Sequence, residues 1–420
     1  MPGFTTTILH NDRQSSIEHG SLHKPIHTAV TYGFDNAQDL LDVFQNKKSG
    51  YRYGRQGNPT IAALEDKITK MEDGVASLCC ASGMAAIGAL PLALLKAGDH
   101  LISSAFLFGN TSNLWQTTSN LAIDITYVDV TNVENVIAAL TPATRMVFVE
   151  TIANPRTQVA DLKKIGELCQ QRGILFVVDN TMTSPYLFHP KKVGAGLSIN
   201  SLTKVISGHG DVLGGCITDT GAFDWRNYPN IAENMKQQPA HLWGINQLRA
   251  KAVRDFGACL SPEAAHQIAI GAETMALRIE RQCSNTMQLT EMLAGHPNVS
   301  AVYYPGLKNH PEHALATELF SAYGSIFSFI LKSSNASCNK TANSEEKACV
   351  DFLNRLKIAI SATHLGDNRT LIIPAAQSIF FEMGAERRAA MGISESLIRV
   401  SVGIEDPRDL LDDFTQALKF

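Results

Sequence analysis

The sequence predicts an α/β protein: a mostly parallel central sheet with helices on both faces, then a smaller C-terminal α+β domain. Three observations point there. Short β-rich runs recur between Val75 and Asn200 with helical patterns between them, and strands alternating with helices build parallel sheets covered on both sides. Some runs, such as Ile174-Leu175-Phe176-Val177-Val178, are apolar throughout, as strands buried on both faces must be. After about Leu260 the alternation gives way to a long helical stretch and a few separated strands.

The elements follow in order. Residues 1–58 are polar and weakly periodic, with Pro25 interrupting them; they read as an arm that packs on another surface, such as a second subunit. Ile61 to Glu72 has helical spacing, with Leu64 and Ile68 on one face and Gly74 closing it. Val75 to Ala81 reads as a buried strand and Gly83 to Leu95 as a helix rich in Ala and Leu. His100–Ser103, Ile123–Val128, Met146–Glu150, Ile174–Val178 and Leu197–Asn200 read as further strands, with Val133–Leu140 and Asp161–Arg172 as helices between them. Residues 59–260 thus read as one domain. Residues 261–420 read as another: a helix from Pro262 to Leu293, a strand from Val299 to Tyr304, a Pro305-Gly306 turn, and strands Ile326–Leu331 and Leu397–Val402. The polar segment Ser333–Lys347 reads as a surface loop.

A chain of 420 residues exceeds one small core. Its formal net charge of −4 gives no footprint for nucleic acid or a membrane surface. The longest apolar stretch, near Met84 to Leu95, contains Gly88 and Pro91 and runs into Lys96, too short to span a bilayer. Met1 to Thr7 has no basic region followed by an apolar core, so it does not read as a secretory signal. Of the eight cysteines only Cys79 and Cys80 are adjacent, and no C-x-x-C spacing occurs. That argues against a zinc site and for buried, reduced thiols in a cytoplasmic protein.

The chemistry centres on Lys204, in Ser201-Leu202-Thr203-Lys204, with Ser207-Gly208-His209-Gly210-Asp211-Val212-Leu213-Gly214-Gly215 behind it. A lone lysine is usually a solvated surface residue. This one lies just past a half-apolar strand, where ligands of open α/β sheets collect. A partly buried lysine can be deprotonated part of the time and form an imine with an aldehyde. Asp179 follows Phe176-Val177-Val178; buried alone it would be neutral, but a protonated pyridine nitrogen would keep it charged. Its alternative reading is a helix N-cap with Thr181. Ser82-Gly83-Met84 forms a strand-to-helix junction whose N–H groups can meet a phosphate, and Ser201 and Thr203 can add hydroxyls. Any βα turn can carry Ser-Gly, and no Walker loop or G-x-G-x-x-G is present. Arg399, inside the β-rich run Leu397–Val402, either meets an anion such as an amino-acid carboxylate or pairs with Glu405 or Asp406 on an edge strand. An imine-forming lysine, a partner for a pyridine nitrogen and a phosphate cradle are the needs of pyridoxal 5′-phosphate (PLP).

Together these stretches resemble the PLP enzymes of cysteine and methionine metabolism: cystathionine γ-synthases and γ-lyases, methionine γ-lyases and O-acylhomoserine sulfhydrylases. The resemblance runs from Pro25-Ile26-His27-Thr28 through Tyr53-Gly54-Arg55-Gln56-Gly57-Asn58-Pro59-Thr60 and Ser82-Gly83-Met84-Ala85-Ala86. It continues through Glu150-Thr151-Ile152-Ala153-Asn154-Pro155, Val178-Asp179-Asn180-Thr181 and the Lys204 segment to the arginine strand. It implies a fold-type I PLP-dependent transferase, a cytoplasmic homotetramer built from tight dimers. It also implies Lys204 as imine-forming lysine and proton carrier, Asp179 at the pyridine nitrogen, and Gly83, Met84, Ser201 and Thr203 at the phosphate. Tyr53 and Arg55 would reach the phosphate of a neighbouring subunit's cofactor. Asn154 and Arg399 would hold the substrate carboxylate, with Asn154 also near the cofactor's 3-oxygen.

Departures bear on the reaction. Phe108-Gly109-Asn110-Thr111 stands where the family usually has Tyr-Gly-Gly-Thr. Phe108 can stack on the pyridine ring but carries no hydroxyl to move a proton. Either another group assists the leaving group or the leaving group needs no proton. Acetate and succinate leave readily, which favours O-acylhomoserine substrates. The cysteine that methionine γ-lyases typically have at the Asn110 position is missing. Gly366-Asp367-Asn368-Arg369-Thr370-Leu371 resembles sulfhydrylases, whereas Ile373-Pro374-Ala375-Ala376-Gln377-Ser378-Ile379 departs from the usual His-Pro-Ala-Ser-x-Thr-His. The expected reaction is γ-replacement by sulfide or cysteine, giving homocysteine or cystathionine. The alternatives are γ-elimination from cystathionine or methionine and, from another class, a PLP-binding regulator without catalysis.

Overall fold

The computed structural model describes residues 2–14, 17–332 and 342–419. Seven strands form the first sheet: β1 (Ala76–Cys80), β2 (His100–Ser104), β3 (Asp124–Val128), β4 (Thr144–Glu150), β5 (Leu175–Asp179), β6 (Leu197–Asn200) and β7 (Gly215–Asp219). Their order is β1-β7-β6-β5-β4-β2-β3. Strands β2 to β6 are parallel, and β7 runs antiparallel between β1 and β6. The apolar runs alternate faces as strands do. Met146, Phe148, Leu175 and Val177 pack into one layer and Val147, Val149, Phe176 and Val178 into the other. The helix Gly83–Leu94 covers the first face and Leu162–Arg172 the second, so the expected doubly covered sheet is present.

Sequence patterning misses β7. Its run opens on Gly215 and closes on Thr218-Asp219, too polar to read as a strand by composition, but pairing on both sides holds it. Gly215 is obligatory there, because a Cβ would lie 2.1 Å from the Ser82 carbonyl oxygen. That close approach seats β7 beside the start of the helix Gly83–Leu94.

The second sheet joins β8 (Val299–Tyr303), β9 (Ile326–Leu331), β10 (Ile360–Ser361), β11 (Leu371–Pro374) and β12 (Leu397–Ser401) in the order β10-β11-β12-β9-β8. The stretch expected as one helix from Pro262 to Leu293 is two, Pro262–Glu273 and Met275–Ala294, because Thr274 leaves helical geometry. The first packs Ala265, Ile268 and Ala272 with Ile61, Leu64 and Ile68 of the helix Pro59–Met71. The second puts Leu289 and Leu293 under Phe327 and Phe329 of β9. The loop expected over 333–347 falls in part on residues 333–341, outside the described residues; from Ala342 the chain is helical to Arg355.

The N-terminal arm divides. Its first turn of helix, Phe4–Leu9, buries Ile8 with Ile61 and Leu64 of the same chain, and Asp12 pairs at 3.5 Å with the fully buried Lys67, which also meets Glu273 at 3.2 Å. Leu22, Val30 and Phe44 stay exposed. The beginning of the arm therefore belongs to its own chain's core, and its later part presents apolar side chains outward.

Close packing under the first sheet can be tested at Gly166, within Leu162–Arg172, where a Cβ would fall 1.7 Å from the Val193 carbonyl oxygen. Backbone cannot yield as a side-chain tip can. Gly166→Ala is expected to cost about 1–3 kcal/mol, read as a lowered thermal midpoint; an unchanged midpoint would contradict this packing.

Candidate active site

Parallel strands bring their carboxyl ends to one edge, where ligands of open α/β sheets bind. At that edge β4 ends in Glu150, β5 in Asp179 and β6 in Asn200. Glu150 and Asp179 are register partners. The turn after β6 carries Ser201, Thr203 and Lys204, closed by a bond from the Lys204 N–H to the Ser201 carbonyl at 3.1 Å.

The Lys204 amine is the site's weakly held proton. Burial, and then the Arg399 charge, lower its pKa to about 8. Its Nζ lies 3.3 Å from Nδ1 of His364. Arg399 sits in the middle of β12, between β11 and β9, and is fully buried. It donates to the Thr363 and His364 carbonyls at 3.0 and 2.9 Å, and burial lowers its pKa to about 10. The edge-strand reading of Arg399 is thereby excluded: Glu405 accepts from Thr370 and Asp406 pairs with Arg281.

Asp179 accepts from the Thr181 N–H at 3.0 Å, and the Thr181 hydroxyl in turn accepts from the Ser201 N–H at 2.8 Å. The next helix, Ser184–Leu187, is preceded by Thr183, so Asp179 is not its N-cap. Burial pushes the Asp179 carboxyl up. Burial and then Asp179 push Glu150 up to about 8, and Glu150 accepts from the Phe108 N–H at 2.9 Å. Two carboxyls sharing one desolvated edge favour a cation between or beside them. A pyridinium nitrogen would meet that need, and the backbone of Phe108 is held at the same edge through Glu150.

Ser82 caps the helix Gly83–Leu94 by accepting from the Ala85 N–H at 3.1 Å. A Cβ on Gly83 would stand 2.9 Å from the Ser201 hydroxyl oxygen, so the helix start and the Lys204 turn approach closely enough to share one anion. Gly83, Met84 and Ser201 are thus brought together. The Thr203 hydroxyl is engaged within its own loop, donating to the Gly214 carbonyl at 3.1 Å and accepting the Gly214 N–H at 2.9 Å. Asn154 is buried beyond β4, and the neighbouring Pro155 carbonyl accepts from Ser328, the register partner of Arg399. Tyr53 and Arg55 lie elsewhere. Tyr53 is exposed, and Arg55 stacks over its ring at 5.4 Å and bonds to the Arg254 carbonyl.

Sequence reasoning misses three supports. His364 precedes the Gly366–Leu371 stretch by two residues, and that neighbourhood is the signal that could have found it. Glu72, just past the helix Pro59–Met71, is buried and accepts from Asn180 at 3.2 Å, from Ser198 at 2.9 Å and from Asn200. It fixes the backbone ends that carry Asp179 and Lys204, and burial raises it to about 7. Glu150 is visible in sequence, but its pairing with Asp179 is not.

The residues fit PLP. A partly neutral amine, a carboxyl in need of a cation and a helix start facing a hydroxyl converge on one edge. Three buried polar atoms, Asn154 Oδ1, His364 Nε2 and Arg399 Nε, have no hydrogen-bond partner among the described residues, as expected where a ligand completes the set.

Comparison with known proteins agrees. A family model described as Cys/Met metabolism PLP-dependent enzyme matches residues 5–419. An L-methionine gamma-lyase of Fusobacterium nucleatum subsp. polymorphum is 35% identical, covering 99% of this chain and 98% of that protein. A homocysteine synthase of Schizosaccharomyces pombe is 33% identical, covering 99% and 98%. A Campylobacter jejuni structure described as an O-acetylhomoserine (thiol)-lyase, carrying a pyridoxyl-lysine phosphate, superposes with a TM-score of 0.89 at 26% identity over the whole of both chains. The chain belongs to the Cys/Met metabolism PLP-dependent enzyme family, has the fold-type I architecture and uses PLP.

Cofactor capture needs the neutral amine, so its pH dependence reports on Lys204. The rate at which apoenzyme takes up PLP should rise with pH and level off above about 8. An ordinary lysine, titrating near 10.4, would keep the rate rising well beyond that point, and such a profile would contradict the buried-amine reading.

Proposed function

We propose that the enzyme catalyses γ-replacement on an O-acylhomoserine, with sulfide or cysteine as the thiol, giving homocysteine or cystathionine. The observation that carries it is Phe108 at a position fixed by Glu150. A side chain without a hydroxyl cannot protonate what leaves from the γ-carbon, so the favoured leaving group is one stable as an anion, such as acetate or succinate. PLP supplies an aldehyde that captures amines and a ring that stores an electron pair. Lys204 and Asp179 would hold it by the aldehyde and the ring nitrogen, with Phe108 against the ring and Asn154 near the 3-oxygen. Gly83, Met84, Ser201 and Thr203 would hold its phosphate, Thr203 after giving up a bond to Gly214.

Arg399 and Asn154 hold the substrate carboxylate and so present the α- and β-hydrogens to Lys204. Lys204 takes the α-proton first, gives it up to the proton-accepting carbon that PLP would supply, and is then free to take a β-proton, a role suited to an amine titrating near the working pH. Burial of Arg399 excludes water from the carboxylate site and strengthens that ion pair. Tyr53 and Arg55, exposed and stacked on each other, would complete the phosphate site of a second copy, as the outward apolar residues of the arm support. The site would then require a dimer or a larger assembly.

A second reading, γ-elimination from methionine or cystathionine, draws support from the L-methionine gamma-lyase names among the relatives. One assay separates the two. Enzyme with O-acetylhomoserine and sulfide or cysteine should give thiol-dependent homocysteine or cystathionine. Predominant 2-oxobutanoate from methionine or cystathionine would favour elimination. Phe108→Tyr should raise turnover of the sulfur-leaving substrates relative to O-acetylhomoserine; an unchanged ratio would remove Phe108 from the argument.

A further inference from the structure

His364 has no part in the scheme above, yet its ring touches the reacting amine. Three contacts fix its backbone. Its carbonyl accepts from Arg399 at 2.9 Å. The Gly366 N–H donates to Ser401 at 2.9 Å, and the Asn368 N–H to the Gly208 carbonyl at 3.0 Å. Gly366 has φ +73°, and a Cβ there would meet the Val205 nitrogen at 2.7 Å and the Lys204 carbonyl carbon at 3.1 Å. The turn that carries His364 is therefore pressed onto the backbone of Lys204 itself.

The two ring nitrogens have different surroundings. Nδ1 lies 3.3 Å from Lys204 Nζ, whereas Nε2 is buried with no hydrogen-bond partner among the described residues. A buried imidazole nitrogen left unpaired costs stability unless something completes it; Asn154 Oδ1 and Arg399 Nε are likewise buried without a partner among the described residues. Neutral imidazole binds a proton at one nitrogen while releasing one from the other, so a ring in contact with Lys204 at one end and unpaired at the other is built to pass protons.

We propose that His364 relays a proton from the incoming thiol to Lys204. The S–H bond breaks as an Nε2–H bond forms; the Nδ1–H bond breaks as an Nζ–H bond forms. The thiolate's electron pair then makes the bond to the γ-carbon. Lys204 must first release its β-proton to water as the carboxylate departs; the ring then begins and ends neutral with its tautomer exchanged, and the thiol's proton reaches the free Lys204 amine, which returns it to the β-carbon. The groups facing the ring are Lys204, Asp367 and Arg399. Burial, and then the Lys204 charge, lower the His364 pKa to about 4, so imidazolium would not keep a thiol's proton. The Lys204 amine, at about 8, is close to a cysteine thiol, near 8.5, so transfer between them is nearly balanced and is drawn forward as the thiolate bonds to the γ-carbon. This inference rests on the γ-replacement reading and names the group that prepares its nucleophile.

The test uses holoenzyme and the variants His364→Asn and His364→Gln, which keep a polar contact to Lys204 but cannot exchange tautomers. Three quantities are read with O-acetylhomoserine: the visible absorbance of bound PLP, 2-oxobutanoate formed without thiol, and thiol-dependent product with thiols of decreasing pKa. The relay predicts that at least one variant retains the absorbance and the thiol-free rate within a few fold. Its replacement with alkyl thiols should fall by about 10²–10⁴-fold, the loss shrinking as the thiol becomes more acidic. Equal loss of both reactions, loss of neither, loss of the absorbance in both variants, or a loss indifferent to thiol pKa would overturn it. Wild-type enzyme that gives no thiol-dependent product would instead sink the γ-replacement reading, a result visible before any variant is made.

Discussion

Withdrawal of one amine from water is the constraint on which this site depends. Lys204 is placed where burial opposes its positive charge, and the Arg399 guanidinium adds to that opposition. A lysine in water stays protonated and inert; this one gives up its proton near pH 8. Every other feature of the site maintains that condition or benefits from it. The second sheet supplies Arg399 and the turn carrying His364, and the first supplies the strand ends and the loop that carries Lys204. Separating the two sheets would resolvate the amine, so packing between distant segments is itself part of the chemistry.

The carboxyl edge shows the opposite charge problem. Asp179 and Glu150 lie side by side at adjacent strand ends, both pushed towards the neutral form by burial. A protein gains nothing by desolvating two acids unless a cation joins them. PLP brings such a charge on its ring nitrogen, and Asp179 would then return to its ionised form. Glu72, three hydrogen bonds deep behind the same edge, holds the strand ends in register so that this complementarity is preset.

Much of this was legible in the sequence, and the reasons for the rest are physical. Strands β4 and β5 carry apolar runs because both faces are covered, so composition alone locates them. Lys204, Asp179 and Arg399 stood out because each is a charge inside or beside an apolar run. β7 did not, since its hydrogen bonds come from neighbours distant in the chain and its residues are small or polar. The break at Thr274 lies inside a stretch whose periodicity continues on both sides of it. His364 reaches Lys204 across 160 positions, a contact that no local pattern encodes. The sequence of the arm suggests packing on another surface, yet Ile8 and Asp12 are bound into their own chain; a short amphipathic turn gives no sign of which core it will join.

The most direct test of the account is chemical trapping of the cofactor. Holoenzyme reduced with borohydride and cleaved to peptides should carry the pyridoxyl mass on the peptide containing Lys204, and on no other. The label on a different lysine, or active enzyme without any label, would contradict the central claim.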